Sequence, residues 1–174
     1  MIAAFTGQWP WQSNPYNSYA LQTDSWLKGR LDLGQDYPWL ELAIYQGKYF
    51  VSFPPFPSYV LIPFVMIFGT NTPDHLIALL VTIAGCVYAI KLYREVSLEK
   101  QHALFWVLML YFASGYLFVG MNGYVWFIAQ SMSFTLSLMA LYYTLRNKGG
   151  LALTFWACAV AVSYTHLRAH ETDS

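Results

Sequence analysis

The chain has 174 residues, 57% of them hydrophobic and 10% charged, with a formal net charge of zero. A water-soluble domain carries about 25% charged residues, so this composition weighs against an ordinary soluble domain, and the balanced charge offers no footing for a nucleic-acid partner. Continuous apolar stretches of about 17–25 residues, the length a bilayer asks for, occur in the second half.

Residues 1–55 differ from the rest. They hold Asp24, Asp32, Asp36 and Glu41 together with Lys28, Arg30 and Lys48, and many Tyr and Trp. This is the expected extracytoplasmic loop region, packed on a membrane domain. Asn17 or Ser18 can cap a short helix through about Lys28, and Gly29 can end it. The run Leu42-Ala43-Ile44-Tyr45, then Gln46-Gly47-Lys48, then Tyr49-Phe50-Val51 predicts a small hairpin, with aromatic and β-branched residues flanking a glycine turn. Phe53-Pro54-Pro55-Phe56-Pro57 reads as a rigid connector, because proline fixes φ and biases the residue before it away from helix. The apolar run 59–68 is interrupted by Pro63 and is short for a span, so 56–69 is expected to be a juxtamembrane or re-entrant helix.

Membrane helices are expected over about 73–92, 103–119, 125–145 and 151–161. Thr72 is the candidate cap of the first, with Pro73 its first residue and Asp74 complementing its N-terminus. In the third, Ala129, Ser133 and Ser137 form a small-residue stripe that lets another helix approach closely. Basic residues mark the cytoplasmic side. Lys91, Arg94 and Lys100 follow the first helix, Arg146 and Lys148 follow the third, and Met121-Asn122-Gly123-Tyr124 holds none. The first helix therefore runs inward, the second outward and the third inward. If 59–68 lies on the surface, which its length and Pro63 favour, residues 1–55 are external. If it spans, they are cytoplasmic. The expected fold class is all-α: a polytopic integral membrane protein fragment, with an extracytoplasmic region of short helices and a small β-hairpin, in the cell (inner) membrane.

Cys86 and Cys158 lie far apart in apolar stretches and suggest neither a disulfide framework nor a metal site. The run 162–172, Val-Ser-Tyr-Thr-His-Leu-Arg-Ala-His-Glu-Thr, closely resembles one reading frame of a transposase-type sequencing adapter. Residues 162–174 are accordingly expected to be an adapter-derived tail, with the fourth helix truncated. His166 and His170, spaced as helical metal ligands often are, then carry no metal site. No cofactor is expected, and a divalent metal is left open.

The order of elements carries a resemblance: a polar helix with Tyr19-Ala20, a Gly47-Lys48-Tyr49-Phe50 hairpin, the Pro54-Pro55 turn, a short apolar helix ending in Phe68-Gly69, then a membrane helix ending in basic residues. This resembles the N-terminal part of GT-C class membrane glycosyltransferases, the group with protein O-mannosyltransferases and the lipid A aminoarabinose transferase. The resemblance implies a polyprenyl-phosphate-linked sugar donor used at the external face, a catalytic acid in the first external loop, and a membrane helix before Met1, with Ile2–Phe5 its remnant. This chain has Asn14-Pro15-Tyr16 where the family pattern has an Asp-Glu pair, Ser52-Phe53 where it has Glu-Lys, and Asn122 near its second external acid.

Among the residues present, Asp24 is the candidate general base, since an acceptor hydroxyl needs a carboxylate within hydrogen-bond reach. The competing reading is a pair with Lys28 one helical turn on. Lys28, Arg30 and Lys48 are candidates for holding a lipid-linked phosphate. Tyr45 and Tyr49, with Tyr37 and Trp39, are candidates for stacking on sugar. Asp32 and Asp36 read as turn residues, and Asp74-His75 as a helix start. No phosphate-binding glycine loop or nucleophile elbow occurs. No acidic or basic residue lies between Leu76 and Ile90 or between Ala103 and Leu145, which weighs against a proton-coupled transporter. The expected function is transfer of a sugar from a polyprenyl-phosphate carrier to a cell-envelope acceptor. The alternative is a non-catalytic membrane protein of the same architecture that binds lipid or a protein partner.

Overall fold

A computed structural model of the chain describes residues 9, 11 and 13–163. The expected Ile2–Phe5 remnant, His166, His170 and the tail from 164 onward lie outside the described residues. The fold is mostly helical, with one two-stranded antiparallel sheet.

The polar segment opens with α1 (Ser18–Leu27). Its C-terminus is a Schellman motif. Gly29, at φ 75°, donates to Trp26 O, and Arg30 N donates to Ser25 O, satisfying carbonyls a helix end otherwise leaves open. The expected N-cap is used differently: Asn17 makes no side-chain cap but donates through Nδ2 to Thr70 O at 2.8 Å. The hairpin follows as β1 (Leu42–Tyr45) and β2 (Lys48–Val51), in the register Leu42↔Val51 and Tyr45↔Lys48. Gln46 and Gly47 both take positive φ, the two-residue turn whose twist suits a hairpin.

Helix α2 (Phe56–Phe68) contains Pro63 and lies antiparallel to α1. Ser58 meets Gln22 and Thr23 near its start, and Thr70 meets Asn17 just past its end. At about 1.5 Å per residue its 13 residues reach about 20 Å, short of a hydrocarbon core of about 30 Å. Both flanks of α2 sit by the same end of the helical region. Phe53 packs edge-on against Trp126, while Asn14, three residues before Asn17, reaches Gly123. That placement fits a helix lying across this end rather than threading away from it.

The helical region is α3 (Asp74–Val96), α4 (Ala103–Ala113), α5 (Tyr116–Met121), α6 (Val125–Leu145) and α7 (Gly149–Ser163). Four details depart from the sequence reading. Helix α3 runs on to Val96, past the expected end at about 92, so Lys91 and Arg94 lie on it rather than after it. Thr72 does not cap α3; its hydroxyl donates to Gly69 O at 2.7 Å, and the helix begins one residue later than expected, at Asp74. The single helix expected over 103–119 is two. Gly115 adopts a left-handed conformation, φ 71°, and Ser114 Oγ turns back onto Leu110 O and also accepts from Tyr116 N. One left-handed residue ends a right-handed helix, so α4 keeps only 11 residues. Helix α7 starts at Gly149 and runs through Ser163, past the expected boundary at 161, and Val162 is buried in the core.

The main core gathers Tyr19, Leu61, Ile77, Ile128, Met132 and Val162 from α1, α2, α3, α6 and α7. A smaller cluster of Ala89, Val107, Tyr111 and Leu138 joins α3, α4 and α6. The small-residue stripe of α6 does face α7: Ser133 Oγ lies 3.3 Å from Ser163 Oγ.

Candidate functional site

The C-terminal turn of α1 and the loop after it enclose an open groove of about 460 Å3. Asp24, Lys28 and Arg30 line it, with Gln35, Tyr37 and Thr70 completing its walls. Helical spacing puts Asp24 and Lys28 on one face, and the Schellman turn at Gly29 swings Arg30 round to the same opening. Lys28 Nζ lies 2.6 Å from Asp24 Oδ2, with the lysine side chain 60% and the aspartate 24% exposed. Among the described residues Arg30 makes no ion pair; its guanidinium rests over the backbone of Gly34. The groove therefore offers one internally neutralised pair beside one unpaired cation. Asp32 is a turn residue as expected, its carboxylate accepting from Gly34 N at 3.1 Å.

The hairpin candidates do not join this group. Lys48, Tyr45 and Tyr49 are absent from the groove wall. Tyr45 stands opposite Lys48, and Tyr49 opposite Ile44. Residues paired across a hairpin share a face and successive residues alternate, so Tyr45 and Tyr49 point to opposite sides of the sheet. Tyr37 and Trp39 do meet, edge to face at 5.7 Å, and Trp39 Nε1 donates to Pro15 O. The hairpin is joined to the groove loop through its backbone, where Leu33 N donates to Tyr49 O at 2.9 Å.

A junction that the sequence did not reveal joins the polar segment to the helices. Asp74 and His75, read as a plain helix start, are 3% and 1% exposed. Asn14 Nδ2 donates to Asp74 Oδ2 and to Gly123 O, both at 3.0 Å, and Gly123 N donates to His75 Nδ1 at 3.0 Å. The backbone approaches so closely that a Cβ on Gly123 would sit 2.5 Å from His75 N. Tyr124 packs edge-on against both His75 and Tyr16. Asn14, Asp74 and Gly123 are 60 and 49 residues apart in sequence, so no local pattern could have joined them. Their one sequence signal is polar residues at the borders of apolar runs. Among the described residues, no three His, Cys, Asp or Glu side chains gather as metal ligands do.

The charges sort by end. Arg146 Nη1 lies 3.3 Å from Glu95, and Lys91 Nζ sits 4.6 Å over the Tyr88 ring, within reach of Tyr142 as well. The basic residues in the last turns of α3 and just after α6 therefore share one end, and the polar segment covers the other. The fold so defines a mostly helical protein in which, among the described residues, two helices, α3 and α6, are long and apolar enough to cross a membrane. No protein-family model, curated protein or solved structure matches the chain.

Proposed function

We propose that the chain belongs to a multi-spanning cell-membrane protein that handles a polyprenyl-phosphate-linked sugar at the external face, as a GT-C-like glycosyltransferase. Membrane placement is supported by α3 and α6, whose most apolar stretches are only 28% and 33% buried within the molecule; a core helix of a soluble protein would be mostly buried. Sidedness is supported by the clustering of basic residues at the end opposite the polar segment. Helices α4, α5 and α7 are shorter, and in this reading they complete the bundle as broken or partial spans.

The observation that carries the functional reading is the groove, where an unpaired Arg30 stands beside the Asp24–Lys28 pair. A phosphate group entering it would meet the Arg30 fork and draw Lys28 away from Asp24, since both cations favour a phosphate oxygen. The freed Asp24 carboxylate then accepts the proton of the acceptor hydroxyl. That oxygen bonds to the anomeric carbon, the bond from this carbon to the phosphate oxygen breaks, and the polyprenyl phosphate leaves with the electron pair. Lys48, Tyr45 and Tyr49 have no place in this step.

A second reading rests on the same pair. At 2.6 Å, Lys28 holds Asp24 in a way that also suits a purely structural ion pair, and a non-catalytic lipid-binding protein would use Lys28 and Arg30 alone. The test combines binding and turnover in nanodiscs with and without polyprenyl phosphate. Asp24→Asn is expected to retain binding and abolish transfer to an acceptor. Binding without any turnover in the unaltered protein leaves the second reading, and absence of binding removes both.

A further inference from the structure

A second cavity, of about 340 Å3, lies where the hairpin, α1 and the ends of α6 and α7 meet. It falls within the range of about 300–1,000 Å3 usual for small-molecule sites. Its wall draws on distant parts of the chain: Tyr19 of α1, Glu41 and Ser52 flanking the hairpin, Phe53, and Trp126 and Gln130 of α6.

The chemistry of this wall is the reverse of the groove's. Among the described residues no lysine, arginine or histidine lines it, so a phosphate held by these residues would face the Glu41 carboxylate with no cation to offset it. The polar groups suit hydroxyls instead. The Glu41 carboxylate and the Gln130 amide make no hydrogen bond or ion pair among the described residues. Ser52 Oγ is fixed by donating to Glu41 O at 2.8 Å. The Tyr19 hydroxyl is shut from solvent and has no partner among the described residues. Burial pushes its pKa upward, so it stays a neutral O–H donor. A buried hydroxyl without a partner costs free energy, which favours a shift of the wall that lets a ligand hydroxyl reach it.

The apolar part of the wall is aromatic. Phe53 stands edge-on to Trp126, with centroids 5.9 Å apart, and Tyr19 packs against Phe53 at 6.4 Å. Trp126 keeps 46% of its surface exposed, which leaves ring surface available to a ligand. Aromatic surface, an unpaired carboxylate, an unpaired amide and an orphan hydroxyl, with no cation, match a molecule that has an apolar ring face and a rim of neutral hydroxyls. We propose that this cavity is a carbohydrate-binding site, filled by a neutral sugar ring that is either free or the headgroup of a glycolipid. The proposal is independent of the groove and of whether the protein transfers anything.

The test uses the whole chain in nanodiscs of zwitterionic lipid. Glucose, mannose, galactose and N-acetylglucosamine are titrated, each as the free sugar and as its octyl glycoside below the micelle concentration. Binding is read by saturation-transfer NMR and by tryptophan fluorescence. Saturable binding of at least one sugar is expected, with the fluorescence change lost in Trp126→Phe. Equal binding of free sugar and glycoside assigns the site to free carbohydrate, and binding of the glycoside alone assigns it to a lipid-borne headgroup. Glu41→Gln, at an exposed position, is expected to weaken binding about tenfold. Tyr19→Phe is expected to weaken it too while keeping or raising the melting temperature of the ligand-free protein, because the orphan hydroxyl is gone. The titrated sugars carry no phosphate, so their binding does not draw on the phosphate contacts on which the groove reading rests. The proposal is overturned if none of the sugars binds saturably, or if Glu41→Gln and Tyr19→Phe both bind as the unaltered protein does.

Discussion

The polar segment, residues 13–71, and the helical region, residues 74–163, solve the same packing problem with opposite surfaces. The polar segment exposes Lys28, Lys48 and Glu41 beside apolar Leu31, Ile44 and Ile67, and ties itself down with specific hydrogen bonds. The helical region turns Leu104, Phe105, Trp106, Met109 and Phe112 outward along α4 and keeps its polar contacts inside. Each outward apolar side chain forgoes about 1.5–3 kcal/mol of burial if water surrounds it. A surface of this kind is stable where lipid is the solvent, and the polar segment is stable where water is. The junction at Asn14, Asp74 and Gly123 is where the two meet.

The sharpest way to break this comparison is labelling. In a background lacking Cys86 and Cys158, Ile44→Cys on the hairpin should react fully with a membrane-impermeant maleimide added to intact cells. Leu98→Cys, beyond the basic end of α3, should react only after permeabilisation. The same pattern at both positions would dissolve the assigned sidedness. Next in size is the junction itself. Asn14→Leu leaves the buried Asp74 carboxylate without its side-chain donor and should cost about 3 kcal/mol, read as a lowered melting temperature in nanodiscs; a change under about 0.5 kcal/mol would show that the junction holds nothing. Smaller is Gly115→Ala, which forces a Cβ into the left-handed conformation that separates α4 from α5 and should cost about 1–2 kcal/mol. A stabilised variant would instead mean that the two helices prefer to be one. Smallest is Arg146→Ala. Its partner Glu95 is 33% exposed, and such surface pairs contribute less than about 1 kcal/mol, so the melting temperature should barely move while the pair's salt sensitivity disappears.

Legibility followed the range of the interaction. The hairpin was readable because Gln46-Gly47 sits between two strand-like runs and the turn is made within four residues. The end of α1 was readable because Gly29 closes a motif only six residues long. The caps were misread. Asn17 and Thr72 have the right chemistry, but Thr70 O, brought in by folding from 53 residues away, claims the first, and the local Gly69 O, three residues back, outcompetes the helix for the second. The break at Gly115 was missed because a lone glycine inside an apolar run is often tolerated within a helix. Of the candidate site, Asp24, Lys28 and Arg30 did converge, since seven residues of helix and turn suffice to bring them together. Lys48, Tyr45 and Tyr49 did not, because hairpin register sends the two tyrosines to opposite faces.

By itself the sequence determined what depends on composition and on near neighbours: the apolar helices, the polar segment before them, the sorting of basic residues along the chain, and the turns. Tertiary structure alone decided which distant groups share a space. It placed Asn14 on Asp74, Gly123 on His75, and Glu41 and Gln130 around one cavity with Trp126. The physical reason is that these contacts span tens of residues and have no periodicity of their own. They exist only once α1, the hairpin and the ends of α6 and α7 have packed on a common core.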